Sequence, residues 1–366
     1  MNAPSATALA DALREHFDGI VVPIWRGPGF NSAMRLAYEA VGTDHQPASV
    51  ERYRAMACAR QLFLFTVVGD AERADTLFDS LKTYFQDHEH GGWFFSIDAE
   101  GKPLDTTKDL YTHAFVVFAC AEYARRFGNR DALSVVHLTS ALIGERFAAR
   151  DNLLNGALDA DFATVKAGPI QNPLMHLTEA WLAAREASKD SAFDQPLARL
   201  GEAIARHFVH APTGCIAELP VGTPDNRLEP GHQFEWYWLV KQAGGLLASS
   251  GLDEALSRAF GFAQQHGVDP HTGGVAAALD EGGRIKDPTQ RIWAQTEYLR
   301  ALATRAAQGD EEAGTRLPSQ IERFQLRFLH PGGWYECKTE TGDVSRADMP
   351  STTPYHLATA YAALPR

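Results

Sequence analysis

A unit of roughly 60 residues recurs along this chain, and a long-period repeat restricts the fold more than any single motif does. Each unit holds two helical patterns, then a Gly-rich turn, then a short strand-like piece. Residues 49–68 and 71–85 make the first pair, broken at Gly69-Asp70 and followed by Gly91-Gly92-Trp93. Residues 108–127 and 130–147 make the next, with Gly128-Asn129 between them and Asn155-Gly156 after. Then come 173–186 with 193–209, 232–248 with 252–265, and 289–307 with 311–328. Gly214-Cys215, Gly273-Gly274 and Gly332-Gly333 follow these three pairs in turn. Residues 6–17 and 353–363 are helical but unpaired, and each is the other's natural partner.

Joining the two ends closes a ring. The expected fold is all-α: an (α/α)6 barrel, a toroid of six helix pairs, with short β pieces in its long loops. An open helical solenoid is the alternative. Against it, the first helix of each pair is the more apolar and aromatic, as in Phe115-Val116-Val117-Phe118 and Phe234-Glu235-Trp236-Tyr237, which suits an inner ring. No domain boundary interrupts the pattern, so residues 1–366 are expected to form one domain. Joints within pairs are short and links between pairs are long, so the long loops gather at one end of the barrel, where function concentrates.

Composition removes several classes of function. The chain carries 34 Lys+Arg against 46 Asp+Glu, a net charge of −12, with no basic stripe, which argues against nucleic acid or an anionic membrane as partner. No apolar run reaches the ~18 residues that span a bilayer, and Met1 to Ala6 lack the pattern of a signal peptide. The four cysteines lie far apart without a CxxC spacing, so packed thiols in a cytoplasmic protein are expected. No GxGxxG, Walker or GxSxG motif is present. His88-Glu89-His90 sits at a turn without a spaced third ligand, and no metal or other cofactor is expected. A monomer or homodimer is expected.

The inner helices share a polar signature at their first turns. Thr112-His113, Met175-His176, Gly231-His232 with Glu235, Trp293 with Gln295 and Glu297, and Tyr355-His356 would all face one cavity. A single histidine in an apolar helix is more often a satisfied core residue than a catalyst, but recurrence at equivalent positions is harder to explain that way. A helix N-terminus disfavours imidazolium and so favours a neutral imidazole, which serves as a general base near pH 7. Arg60, inside the apolar run Ala57 to Phe65, needs either an inner carboxylate such as Glu235 or Glu297, or a ligand oxyanion. Trp93, Trp293 and Trp334, near Gly-rich turns or helix starts, suit the apolar C–H faces of a sugar, although core packing accounts for at least one of them. Paired carboxylates for glycoside hydrolysis could be drawn from Asp159, Glu235 or Glu297.

The ordered set Ala59-Arg60-Gln61-Leu62, Asn172-Pro173-Leu174-Met175-His176, Pro230-Gly231-His232-Gln233-Phe234-Glu235-Trp236, Arg291-Ile292-Trp293 to Glu297 and Pro354-Tyr355-His356 resembles the N-acylglucosamine 2-epimerase superfamily, which includes mannose isomerases, sulfoquinovose isomerase and cellobiose 2-epimerases. The resemblance implies a metal-free isomerase or epimerase acting on a small sugar by proton transfer through a cis-enediol, with D-mannose and D-fructose the favoured pair and 2-epimerisation the alternative. A glycosidase or a sugar-binding toroid is the remoter possibility. Carried over, His232 and His356 become the acid/base pair and His176 assists ring opening. Arg60 steadies the enediolate oxygen and Glu235 orients His232. Trp293, Glu297, Gln295, His113, Asn172 and Trp334 contact the sugar.

Overall fold

The computed structural model describes residues 5–366. An inner ring of helices comprises α2 (Ala55–Val67), α4 (Leu110–Phe127), α6 (Gln171–Ser188), α8 (Pro230–Ala243), α10 (Ile292–Ala307) and α12 (Thr353–Ala363). Each packs on the next in chain order, and α12 packs back on α2. Outside them lie α1 (Ala6–His16), α3 (Ala71–Ser80), α5 (Arg130–Arg146), α7 (Asp194–His207), α9 (Leu252–Gly267) and α11 (Glu311–Phe328). Each of α3, α5, α7, α9 and α11 packs on the inner helix before it, and α1 touches both α12 and α11.

The expected union of the two chain ends is a clamp. Arg14 Nη2 on α1 donates to the carbonyls of Tyr361, Leu364 and Pro365 at 3.1, 2.8 and 2.9 Å. Phe17 meets Tyr361 edge-on at 6.1 Å. One guanidinium thus takes up carbonyls that the last helix leaves open at its C-terminus.

Burial separates the two rings. Nearly every residue of α2 and most of α4, α6 and α10 are buried, whereas α7 and α11 bury a single stripe. Three of the five joints are built by Gly-Asx. Gly128 takes the left-handed conformation (φ 71°) that ends α4, and Asn129 then caps α5 by accepting from the Ala132 amide at 2.9 Å. Gly69-Asp70 and Gly309-Asp310 repeat the device, with the Arg73 and Ala313 amides donating at 3.2 and 3.0 Å.

Two helices depart most from the periodicity. The helix expected over 49–68 begins at Ala55, because Tyr53 and Arg54 pair as a strand with Ile97 and Ser96 and the Arg54 amide donates to Glu39 Oε1 at 2.7 Å. The helix expected over 232–248 begins at Pro230 and ends at Ala243, where Gly244 turns the chain into a 3₁₀ segment.

The long loops carry the expected short β pieces. Tyr53–Arg54, Lys108–Asp109 and Gln290–Arg291, which lead into α2, α4 and α10, each pair antiparallel with a hairpin that follows the outer partner of that same helix. The hairpin turns are organised by side chains. Asp98 Oδ1 accepts from the Glu100 and Lys102 amides, and Asp280 Oδ1 does the same for Gly282 and Arg284.

A second tie fixes the Gly-rich turns. Gln233 Oε1 accepts from the Ile216 amide at 2.8 Å while its Nε2 donates to the Ile216 and Glu229 carbonyls. Gln295 treats Val275 and Arg291 in the same way. His113 Nε2 accepts from the Trp93 amide at 3.1 Å, and its Nδ1–H donates to the Asp109 carbonyl at 2.7 Å. Gly92, at φ 71°, leaves room for this ring, since a Cβ there would lie 2.6 Å from His113 Nε2. The Gln233→Leu substitution strands buried backbone groups at Ile216. It is expected to cost about 2–4 kcal/mol in urea unfolding, with the helical circular dichroism of the folded state unchanged.

Candidate active site

At the N-terminal end of the inner ring the long loops surround a cavity of ≈ 190 Å³. Its wall is largely polar: Arg60, Tyr111, Asn172, His176, Glu218, Arg227, Glu229, His232, Glu235, Arg291, Trp293, Glu336, Thr352, Thr353 and His356. The structure therefore brings together His232, His356, His176, Arg60, Glu235, Trp293 and Asn172 from the residues expected at the site.

Four expected sugar contacts do not line it. His113 and Gln295 are the turn ties described above. Burial lowers His113 to about 3, so it stays neutral while holding Trp93. Trp334 is fully buried, its Nε1–H donating to Glu336 Oε2 at 3.2 Å. Glu297 is also fully buried, one layer beneath the cavity, and its Oε1 meets His356 Nδ1 at 2.8 Å. Trp93 donates to Thr139 and belongs to the core.

The partner of His232 also differs from expectation. Glu235 makes no hydrogen bond to it. Glu218, on the loop before α8, holds His232 Nδ1 at 2.7 Å, and Glu229 stands 3.5 Å away. Gln171 Nε2 donates to the same Glu218 oxygen at 3.0 Å, and its own orientation is set by Trp236 Nε1–H on its oxygen at 2.7 Å. Trp293 lies against the His232 ring with centroids 4.9 Å apart and against His356 at 5.7 Å. Gly231 permits this approach, because a Cβ there would stand 2.7 Å from the Trp293 ring.

The two imidazoles differ in charge. Burial alone would lower His232, but Glu218 and Glu229 outweigh it and lift the ring to about 9, so His232 is an imidazolium at neutral pH. This corrects the expectation that its place at a helix N-terminus would keep it neutral: two carboxylates within 3.5 Å overcome a partial dipole charge. His356 is pushed well below its ordinary range by burial, with Arg60 and His176 adding to the effect. It is neutral, its Nδ1–H directed at Glu297 and its Nε2 free. Burial also lowers His176, whose Nδ1 lies 3.3 Å from Glu179 Oε2.

Arg60 has no carboxylate partner. Its Nη2 donates to the Tyr111 hydroxyl at 2.7 Å and its Nη1 to the Thr352 carbonyl at 3.4 Å, with the guanidinium over the rings of Phe115 (4.2 Å) and Tyr355 (4.7 Å). The inner carboxylates are met instead by Arg300. Glu235 is 1% exposed, its Oε1 has no hydrogen-bond partner, and burial beside Glu297 and Glu179 raises it well above the carboxylate range, which favours its protonated form. Three sets of groups bring their donor atoms within reach of a common ion: His176 with Glu179 and Glu235, Glu218 with Glu229 and His232, and Glu235 with Glu297 and His356. The same spacings are those of hydrogen-bonded acid–base pairs.

Asp159 and Asp161 lie in a hairpin turn away from the cavity, accepting from the Thr164 and Ala163 amides as expected of loop residues. Neither Asp159 nor Glu297 is available as a cavity carboxylate for glycoside hydrolysis. Glu218, Glu229, Glu336 and Arg227 were not singled out from sequence. Glu229 immediately precedes the Pro230-Gly231-His232 run, and that adjacency was the available signal.

The N-acylglucosamine 2-epimerase (GlcNAc 2-epimerase) family model matches residues 37–360, and the chain belongs to this family. A mannose-6-phosphate isomerase of Rhizobium meliloti (strain 1021) is 28% identical over 364 residues, covering 93% of this chain and 92% of that protein. A cellobiose 2-epimerase of Ruminococcus albus is 26% identical over 320 residues, covering 80% of each. The structure of cellobiose 2-epimerase from Bacillus thermoamylovorans B4167 superposes with a TM-score of 0.88 at 18% identity, covering 97% of this chain and 98% of that one. The protein is thus an enzyme of the isomerase–epimerase type, on a helical toroid with short strands. Among the described residues no helix is long and apolar enough to cross a membrane.

Nitrogen-15 NMR of the histidine rings tests the charge assignment. At pH 7.5 His232 is expected to be doubly protonated, titrating near 9, and His356 singly protonated. The His232 shift is upward from its ordinary value of ~6.5. Its contribution to stability is therefore complete below that pH and is lost as pH rises through about 9. Glu218→Gln should shrink that loss.

Proposed function

We propose that this enzyme interconverts an aldose and its 2-ketose, with D-mannose and D-fructose as the pair, through a cis-enediol intermediate. The observation that carries the reading is a neutral His356 and a charged His232 lining one cavity, each packed on Trp293. Such a pair is a base and an acid ready at the same pH.

With the open-chain aldose bound, His356 Nε2 takes the proton from C2. His232 gives its proton to O1 as the carbonyl becomes the enediol. Arg60, free of any carboxylate, meets the charge that develops on oxygen. Return of the carbon proton to C1, with the O2 proton passing back to His232, yields the ketose. His176, with Nε2 free, assists ring opening. Trp293 supports the C–H face of the sugar, and Asn172, whose Oδ1 has no partner, accepts from a hydroxyl. Glu218 and Glu297 orient the two imidazoles.

The cavity's ≈ 190 Å³ is below the ~300–1,000 Å³ of sites for drug-sized ligands and supports a monosaccharide over a disaccharide. Arg227 is held by Glu229 at 2.9 Å, while Arg60 and Arg291 line the cavity without a carboxylate partner, so both the free sugar and its phosphate belong in the assay. A second reading, 2-epimerisation, is supported by the same pair: a base and an acid either side of C2 remove a proton from one face and return it to the other. We further infer a single (α/α)6-barrel domain over 1–366, on the strength of the closed helix order.

Proton NMR of D-mannose in deuterated water distinguishes the outcomes. Deuterated fructose supports the isomerase, glucose the epimerase, and absence of C2 exchange with mannose and mannose 6-phosphate alike refutes both. His356→Ala and His232→Ala are each expected to slow exchange by about 10³-fold or more with helical content intact. The rate should fall as pH rises through about 9, where His232 loses its proton. EDTA should have no effect.

A further inference from the structure

Beneath the cavity floor lies a buried group that the chemistry above does not use. Arg300 on α10 is 2% exposed. Its Nη1 donates to Glu297 Oε2 at 3.2 Å, and its Nη2 stands 3.9 Å from Glu179 Oε1. The other oxygen of each carboxylate serves a histidine: Glu297 Oε1 meets His356 Nδ1 at 2.8 Å, and Glu179 Oε2 meets His176 Nδ1 at 3.3 Å. Glu179 Oε2 also accepts from the Tyr355 hydroxyl. The result is one unbroken series, His356–Glu297–Arg300–Glu179–His176, crossing the barrel from α12 through α10 to α6.

We propose that Arg300 is a positioning residue that ties both carboxylates, and through them keeps His356 and His176 with Nδ1 protonated and Nε2 bare towards the substrate. The planar fork of a guanidinium bridges two carboxylates where an ammonium binds only at a point. Its plane is fixed from behind by Trp238, whose ring lies 3.3 Å from the guanidinium carbon. The charged and titratable groups facing Arg300 are Glu297 on its own helix, Glu179 on α6, Glu235 on α8 and Tyr355 on α12. Those acting on His356 include Arg60 on α2, along with His176 and Glu179 on α6. Without Arg300 no cation touches Glu297 or Glu179, and each draws a full proton from its imidazole or takes one up itself. Either event changes the tautomer that the floor presents.

The proposal rests on the histidine reading given above, but its test needs no substrate. Ring nitrogen-15 signals of the intact protein at pH 7.5 report the tautomers directly, so a protein that turns over no sugar still decides it. Arg300→Met is expected to move the His356 and His176 signals away from the Nδ1–H form. Where mannose turnover is present, kcat should fall by about 10–100-fold with KM within about threefold. Arg300→Lys, which keeps the charge but lacks the fork that reaches both carboxylates, should recover only part of the loss. Unmoved ring signals in the Met variant overturn the proposal whatever happens to kcat. Moved signals with unchanged kcat overturn its catalytic part, as does equal loss in the Met and Lys variants. Should Arg300→Met not fold, Trp238→Leu removes the plate beneath the guanidinium. Shifted or broadened His356 and His176 signals then support the link, and signals identical to wild type overturn it.

Discussion

Taking a carboxylate out of water costs several kcal/mol unless cations or donors meet it. This barrel takes Glu179, Glu235 and Glu297 to its centre. The three meet the cost differently. Glu297 and Glu179 share Arg300 and are hydrogen-bonded by His356 and His176. Glu235, without a hydrogen bond on Oε1, is pushed by burial towards its protonated form. The histidines above them differ in state for local reasons. His356 is kept neutral first by its burial, with Arg60 and His176 adding to the effect. His232 stands on Glu218 with Glu229 beside it and keeps its proton. Two identical side chains thus hold different charge by location alone.

The repeat was legible because its punctuation is local chemistry. Gly-Asx at the joints and Gly-rich turns before the short strands are read one residue at a time, and the contrast between inner and outer helices follows from composition. The floor was legible as far as the inner helices carry it: Arg60, Asn172, His176, His232, Glu235, Trp293 and His356 all reach the cavity. What failed was direction. His113 and Gln295 sit at inner helix starts, yet one residue along a helix turns a side chain by about 100°, and both face the turns behind. Their sequence offset held a clue. Each lies 20 residues after the backbone group it ties, and Gln233 lies 17 after its own, so the three form a structural series.

Glu218 and Arg300 show the other limit. Glu218 reaches His232 from a loop 14 residues upstream, and Arg300 reaches Glu179 across the barrel. Neither pairing leaves a local trace, because the ring's closure, not the chain's spacing, brings the partners together. Glu297 was found as a site residue for the same reason that its role was misjudged. Its spacing from Trp293 places it near the cavity, but a full turn of helix puts it below the floor.

The hairpins above the floor have a separate meaning. Each is paired at its base to the segment entering an inner helix, while its tip is a side-chain-organised turn in solvent. An insertion or deletion at such a tip leaves the anchored base in register, and no residue of the proton-handling layer lies on it. The tips can therefore vary in length and sequence while the cavity walls, none of which lie on them, are passed on intact.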